Sequence, residues 1–276
     1  MKLIKPKFEI LEQQPGIDGI YKMIELAGRT CYRSEDKITE DSAKGFVERM
    51  IKSDHGAMLE HGTVYLDIPQ KANNCYTLIS NYNNNKYSVL NHSNVNHSQE
   101  HYYVTTNLRV LVENNWIDDL QYVCEPTEYH EKRICVRYTS NIHFYKDCTR
   151  HRVFSWAIES TRLCNYIKSR FESSVSFATP IWLKDEEQEE FEEDLKTIES
   201  IYFKWINKGW QPQQAAYFLI QGTKAEVIMT GFVSDYKHFF DLRSEIAKTG
   251  KPHPTVVELV EPLRQEFIKR GYINEN

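Results

Sequence analysis

Strand-like and helix-like segments succeed one another in this chain without the regular β–α–β alternation of a parallel α/β fold, and this limits the architecture first. "KFEILEQ" (7–13) has the character of a strand, whereas "GIDGIYKMIELAGRT" (16–30) places Ile17, Ile20, Ile24 and Leu26 at helical spacing. A second helix is predicted over "TEDSAKGFVERMIKSD", with Thr39 as its N-cap. A loop, "HGAMLEH", then leads to a strand from Thr63 to Ile68. "TTNLRVLVENN" (105–115) is expected to be helical, and "EKRICVRYTS" (131–140) alternates as a strand with Ile134, Val136 and Tyr138 on one face. Ser140 or Asn141 should cap a helix over "IHFYKDCTRH", and "SSVSFATP" should return as a strand. The clearest helix is "DEEQEEFEEDLKTIESIYFKWINKG" (185–209). Asp185 caps it, acids fill its first turns, Gly209 stops it, and its apolar stripe is Phe191, Leu195, Ile198, Ile201 and Trp205. A short helix from Pro212, a strand "AEVIMTGFV", a helix capped by Ser234 and a last helix over 254–270 complete the chain. The expected class is α+β: one mixed domain over 1–276, with a central antiparallel or mixed sheet flanked by helices.

One segment departs from this pattern. Residues 73–97 hold nine Asn in 25 positions. Asn favours turns and local side-chain hydrogen bonds, so an irregular or hairpin-like insertion is expected there.

At 276 residues the chain can bury a substantial core, and 41% hydrophobic with 26% charged residues is ordinary for a globular protein. No apolar run approaches the ~20 residues that cross a bilayer. The N-terminus lacks the apolar core and cleavage site of a signal peptide, so a cytoplasmic location is expected. Cys31, Cys75, Cys124, Cys135, Cys148 and Cys164 form no CxxC pair and have no histidine at zinc-ligand spacing. They are expected to be free thiols, and no metal site is expected.

Charge is spread unevenly. The net charge is −5, yet residues 130–170 hold nine Lys or Arg against Glu131, Asp147 and Glu159. A broad basic face for nucleic acid is not present in the sequence. One cationic segment in an acidic chain fits a small bound anion. Within it, Arg150 and Arg152 flank His151, and Arg162 follows Ser160. Guanidinium is planar, always charged and pairs bidentately with phosphate. The alternative is a structural network in which these arginines pair with Asp147 and Glu159.

Arg150-His151-Arg152, seven residues, then Ser160 resembles the signature of the flavin-dependent thymidylate synthases, the ThyX family. "HGAMLEH" (55–61) resembles that family's H-x-x-x-x-E-H segment. "AGRTCYRS", "ESTRLCNY", "CEPTEYHEKR", "EVIMTGFVSDYKHFFDLR" and "QEFIKRGYI" are similar to one bacterial branch of it. The similarity covers most of 20–273, with the Asn-rich stretch as its weak part.

The resemblance implies synthesis of dTMP from dUMP, with 5,10-methylenetetrahydrofolate as carbon donor and NADPH as reductant through FAD. It implies a homotetramer whose sites draw on several chains, and chemistry that needs no cysteine nucleophile. Ala57, Glu60, Arg150, His151, Arg152, Ile158, Phe232, Ser234 and His238 fall at FAD-contacting positions. Asp147, Arg150, Glu159, Ser160, Thr161, Arg162 and Arg243 fall at dUMP-contacting positions. Arg243, Ser160 and His55 are the residues expected to take part in the chemistry, with Ser160 as a substrate contact and not a nucleophile. Arg243 matches the arginine that contacts the uracil.

The chain also departs from the family pattern. Ala216 stands where an arginine usually helps hold dUMP, Ile220 replaces a proline, Asp147 takes a place often held by Gln or Glu, and the segment between Arg243 and His253 is longer than is typical. Lys224 is a candidate to supply the missing cation. The rivals are a same-fold flavoenzyme acting on another pyrimidine nucleotide and a non-catalytic nucleotide-binding relative.

Overall fold

A computed structural model describes residues 1–94, 100–160, 166, 174–248 and 250–275. Its strands are β1 (Lys2–Ile4), β2 (Lys7–Leu11), β3 (Thr63–Pro69), β4 (Val89–Asn94), β5 (Glu100–Asn107), β6 (Arg133–Asn141), β7 (Ser155–Ile158), β8 (Ser176–Ala178) and β9 (Lys224–Phe232). The α-helices are α1 (Gly16–Tyr32), α2 (Ser42–Lys52), α3 (Cys75–Asn83), α4 (Leu108–Glu113), α5 (Ile142–Cys148), α6 (Gln188–Asn207), α7 (Pro212–Ala215), α8 (Val233–Arg243) and α9 (Pro254–Lys269). The expected α+β class is borne out. Strands pair mainly antiparallel, in a four-stranded sheet of order β2-β6-β9-β7 and a three-stranded sheet of order β3-β5-β4, while β1 and β8 form a short parallel pair.

The four-stranded sheet is buried on both faces. Period-two alternation sends Ile134, Val136 and Tyr138 of β6, with Val227 and Met229 of β9, toward α8 and α9. There they meet Tyr236, Phe239, Phe240, Leu259, Leu263 and Phe267. Cys135, Ala157 and Ile228 point the other way and pack on Met23 and Ala27 of α1. The adjoining stripe of α1, Ile20 and Ile24, packs with Phe46 and Val47 of α2 against Val64, Leu66 and Val104 of the three-stranded sheet. One helix thus belongs to two cores and joins the sheets. α6 covers a third core around Tyr166, Val175 and Phe177.

Several local expectations need correction. In the Asn-rich stretch the hairpin-like alternative holds, since β4 pairs antiparallel with the next strand, β5, whereas the irregular one does not: the stretch also carries α3, with 95–99 outside the described residues. β4 pairs with β5 from Val89↔Thr105 to Asn94↔Glu100, so burial against Val104 and Leu108 overrides the turn preference of asparagine. "TTN" of 105–107 is strand, not helix, and Asn107 Oδ1 accepts the Val110 N–H at the start of α4. α2 starts at Ser42 with Asp41 at the cap position, while the Thr39 N–H donates to Ser42 Oγ. α8 starts at Val233, and the Ser234 N–H donates to Glu131, so Ser234 is not its cap. Asp185 opens a 3₁₀ turn ahead of α6, and on α6 Tyr202 is fully buried where Ile201 is only half-buried. Asn141 does cap α5 through its side chain, and Gly209 takes φ +95° just past α6. Among the described residues, no helix is long and apolar enough to cross a membrane.

Gly231 on β9 lies against the ring of Phe154. A Cβ there would sit 2.3 Å from Phe154 Cδ1, far inside contact distance. Gly231→Ala is expected to lower stability by about 1–3 kcal/mol through overpacking, read as a drop in urea midpoint with an unchanged slope.

Candidate active site

α5 ends where the cationic motif begins. Thr149 closes the last turn, its N–H and Oγ–H both donating to the Tyr145 carbonyl. The His151 N–H bonds the Cys148 carbonyl, and the His151 carbonyl accepts from Phe154 N–H and Trp156 Nε1. This backbone anchoring fixes the ring of His151 edge-on against Phe239, at 5.0 Å between centroids, with His238 6.0 Å away.

Arg243, in the last turn of α8, reaches across to this helix end. Its Nε donates to His151 Nε2 at 3.1 Å and its Nη2 to the Asp147 carbonyl at 3.1 Å. A guanidinium suits a helix C-terminus, where carbonyls lack intrahelical partners and carry partial negative charge. Since arginine can only donate, His151 Nε2 must be unprotonated and the ring proton sits on Nδ1. Burial, Arg243 and His238 together depress the His151 pKa to about 4. The ring is therefore neutral near pH 7.

Arg150 and Arg152 are exposed on either side of this buried histidine, and neither pairs with a carboxylate among the described residues. Of the two nearby carboxylates, Glu159 is held by Lys224 at 2.9 Å and Arg33 at 3.4 Å, and Asp147 faces His143, its Oδ2 3.6 Å from Nε2. The structural arginine–carboxylate network is thus not built at these two residues.

Glu159 stands at the far end of β7, about 13 Å along the strand from Ser155. Its N–H bonds the Glu226 carbonyl, and its carboxylate accepts from Lys224 Nζ and the Glu226 N–H, at 2.9 Å each. Lys224 also lies 2.8 Å from Glu226 Oε1, which in turn accepts from Thr139. Lys224 and Glu159 are both buried, so this ammonium is committed to two carboxylates. Ser160 follows, half-buried, its N–H on the Cys31 carbonyl. A groove of about 870 Å³ opens beside this network, lined by Lys5, Lys7, Arg33, Arg137, Thr139 and Lys224 among others. Thr161 and Arg162 lie outside the described residues. Ala216 is half-buried at the head of a 3₁₀ turn, Ala216–Phe218.

A third group gathers at the other end of the sheet. The segment after α2 forms a 3₁₀ turn, Gly56–His61, in which His55 and Ala57 are exposed and Glu60 is bonded to Arg109. Phe232 pairs with Arg133 in the β6–β9 register. The Arg133 guanidinium lies 5.4 Å from the centre of the Phe232 ring, while its Nη1 donates to the Glu60 carbonyl and Thr63 Oγ1. His61 is buried with Nδ1 2.8 Å from Thr230 Oγ1, and burial with the nearby Arg133 depresses its pKa to about 3. Ile158 is half-buried on β7, and Ser234 and His238 are exposed on α8.

The structure therefore brings Asp147, His151, His238 and Arg243 together, with Arg150 and Arg152 alongside. It sets Glu159 and Ser160 apart from them, and Glu60 with Phe232 apart again. Sequence reasoning missed Arg33, Arg133 and Arg137 as parts of these groups. The alternation of β6 could have flagged Arg133 and Arg137, since both share the face of Cys135, on which Arg133 is buried and Arg137 half-buried. The donor set fits a flavin dinucleotide: two guanidinium forks without carboxylates match pyrophosphate oxygens, and a neutral imidazole sits between them. The thiols of Cys31, Cys75, Cys124, Cys135 and Cys148 are all raised by burial, so none of these five is an activated nucleophile.

Residues 125–250 match the Thy1 family model, described as thymidylate synthase complementing protein. A flavin-dependent thymidylate synthase of Pyrococcus furiosus is 29% identical over 94 residues, which are 34% of this chain and 38% of that relative. Among solved structures, the UMP/dUMP methylase PolB of Streptomyces cacaoi bound with 5-Br dUMP aligns with a TM-score of 0.45 at 13% identity, over 98% of this chain and 93% of that one. The same protein bound with 5-Br UMP aligns with a TM-score of 0.46 at 12% identity, over 98% and 92%. The family resemblance read from the motifs is borne out by the Thy1 match.

The depressed His151 sets a pH dependence. The folded ring stays neutral down to about pH 4, while an unfolded histidine takes up its proton near 6.5. The unfolded state binds more protons in that window, so the stability present above pH 6.5 is lost as pH falls toward 4, by about 3 kcal/mol for this residue. Urea titrations at pH 7 and pH 4 should show that loss shrinking in Arg243→Ala, because the neighbouring cation that helps depress the pKa is gone.

Proposed function

We propose that this chain is a flavin-dependent thymidylate synthase: one domain over 1–276 that reductively methylates dUMP to dTMP. Methylenetetrahydrofolate is the carbon donor and NADPH the reductant, and the bound FAD supplies the redox chemistry. The observation that carries this reading is the pair of exposed, carboxylate-free guanidiniums, Arg150 and Arg152, flanking a His151 held neutral by Arg243. A structural arginine pair would have found acids. This one leaves its charge available for phosphate oxygens.

In this reading Arg150 and Arg152 bind the pyrophosphate and orient the dinucleotide, with Ala57, Glu60, Ile158, Phe232, Ser234 and His238 completing its surroundings. Arg243 uses Nε and Nη2 on His151 and the Asp147 carbonyl, which leaves Nη1 to face the uracil. A fixed cation there stabilises the negative charge that develops as C5 becomes nucleophilic. The neutral His151 adds no competing positive charge and holds the guanidinium in plane. Ser160, Thr161 and Arg162, with Asp147 and Glu159, border the nucleotide, and His55 lies beside the flavin. Stacking of nucleotide on cofactor supplies proximity.

The separation of Glu159–Ser160 from the Asp147–His151–Arg243 group supports an assembly in which one site draws on more than one chain. A homotetramer is the form proposed. Light scattering should give about four times the 32.6 kDa of the chain, and a monomeric mass would count against shared sites.

A second reading has one observation in its favour. Ala216 offers no charge where the family has arginine, and Lys224 is already held by two carboxylates. A pyrimidine nucleotide other than dUMP would reconcile the two. Visible spectra separate the readings: oxidised-flavin bands that shift with dUMP, and less with other nucleotides of a panel, are expected. Arg150→Ala and Arg152→Ala should each weaken FAD binding about 10–100-fold, the loss of a charge-assisted hydrogen bond. Arg243→Ala should retain FAD but largely abolish tritium release from C5-labelled dUMP. Unchanged release would remove Arg243 from the chemistry.

A further inference from the structure

Arg133 is a buried guanidinium with no carboxylate within 4 Å among the described residues. Burying a charge without an ionic partner costs several kcal/mol, so its placement calls for a reason. Glu60 gives its carboxylate to Arg109 and offers Arg133 only its backbone carbonyl. The remaining partners are also neutral. Nη1 meets Thr63 Oγ1 at 3.3 Å, the guanidinium lies over the Phe232 ring, and the residue's own N–H donates to the Tyr65 hydroxyl at 3.2 Å.

These partners come from two elements that have no strand pairing with each other. Glu60 and Thr63 belong to the 3₁₀ turn and the start of β3, in the three-stranded sheet. Phe232 ends β9, in the four-stranded sheet, and leads directly into α8. Arg133 is the first residue of β6, opposite Phe232 in register. It also lines a cavity of about 230 Å³ between the sheets, with Gln13, His61, Thr63, Tyr65 and Cys135. Nη1 alone donates to both the Glu60 carbonyl and Thr63 Oγ1, while Nε is buried without a partner and the flat guanidinium lies by the Phe232 ring, a stacking that the compact ammonium of lysine does not reproduce.

We propose that Arg133 is a positioning residue that locks the Gly56–His61 turn to the Phe232–Ser234 strand–helix junction, so that both walls of the flavin site are held at one spacing. This rests on the flavin reading above. Arg133 acts through Glu60 and Phe232 and transfers nothing itself.

Two measurements on the intact protein test it. The first needs no cofactor. In hydrogen exchange, Arg133→Met should speed exchange of amides in 56–62 and in 232–236 together, while the α6 amides keep their rates. Faster exchange in only one of the two segments, or in neither, overturns the lock whatever the protein binds. The second is FAD affinity by flavin fluorescence. Arg133→Met should bind tenfold or more weakly with an unchanged far-UV circular dichroism spectrum, and Arg133→Lys should recover only part of that loss. Binding within twofold of the unaltered protein in Arg133→Met overturns the proposal. Should Arg133→Met not fold, Thr63→Val removes one acceptor and keeps the cation. It should weaken FAD severalfold, and unaltered affinity would overturn the proposal equally. If the unaltered protein binds no FAD, the flavin reading fails and with it the positioning role toward FAD, whereas the exchange experiment still decides whether the lock exists.

Discussion

The nine-residue antiparallel pairing of β6 with β9, from Arg133↔Phe232 to Asn141↔Lys224, is the constraint on which the rest of the molecule depends. Both strands are central, and the faces they share are apolar on both sides. A one-residue slip would turn Val136, Tyr138, Val227 and Met229 away from α8 and α9 and place Cys135 and Ile228 there instead. The register is therefore held by burial. Each end of the pairing carries polar groups that the register brings into contact: Arg133 with Phe232 at one end, Lys224 and Glu226 with Thr139 and Glu159 at the other.

The chain that leaves the ends of these strands supplies the cationic group. α5 follows β6 and α8 follows β9, so the last turns of the two helices come side by side. Arg243 can then satisfy a carbonyl of α5 and the ring of His151 at once. The consequence is electrostatic. Burial, with Arg243 and His238 alongside, keeps His151 from taking a proton near neutral pH, so it acts as a fixed acceptor that orients Arg243. Arg150 and Arg152 meet no carboxylate among the described residues: Glu159 is held in the Lys224–Arg33 network and Asp147 faces His143.

The three-stranded sheet is tied to this frame by α1, whose adjoining apolar stripes enter separate cores, and by the contacts of Arg133 and of His61 with Thr230. Close approaches at Gly231 show how little slack the frame has near the motif. Lys224 illustrates the opposite case from Arg150 and Arg152. A buried ammonium must find acids, and it has found two, so its charge is not available to a bound nucleotide.

What the sequence determined by itself was the local and the chemical. Periodicity placed most strands and helices, including the buried face of β6 and the stop at Gly209, and the spacing Arg-His-Arg to Ser160 carried the resemblance that the Thy1 match over 125–250 supports. It allowed for the antiparallel pairing of β4 with β5 but missed α3, because asparagine preferences are local whereas Cys75 and Tyr82 of α3 are held by burial in a core shared with residues distant in the chain. It misjudged the caps at Thr39 and Ser234 because the partner that satisfies a terminal N–H is chosen by tertiary neighbours. Only the fold decided which cations are paired. Arg150, Arg152 and Lys224 are alike on paper. Burial beside Glu159 and Glu226 commits the lysine, and exposure at a helix end leaves the two arginines uncommitted, because the cost of an unpaired charge depends on its distance from water.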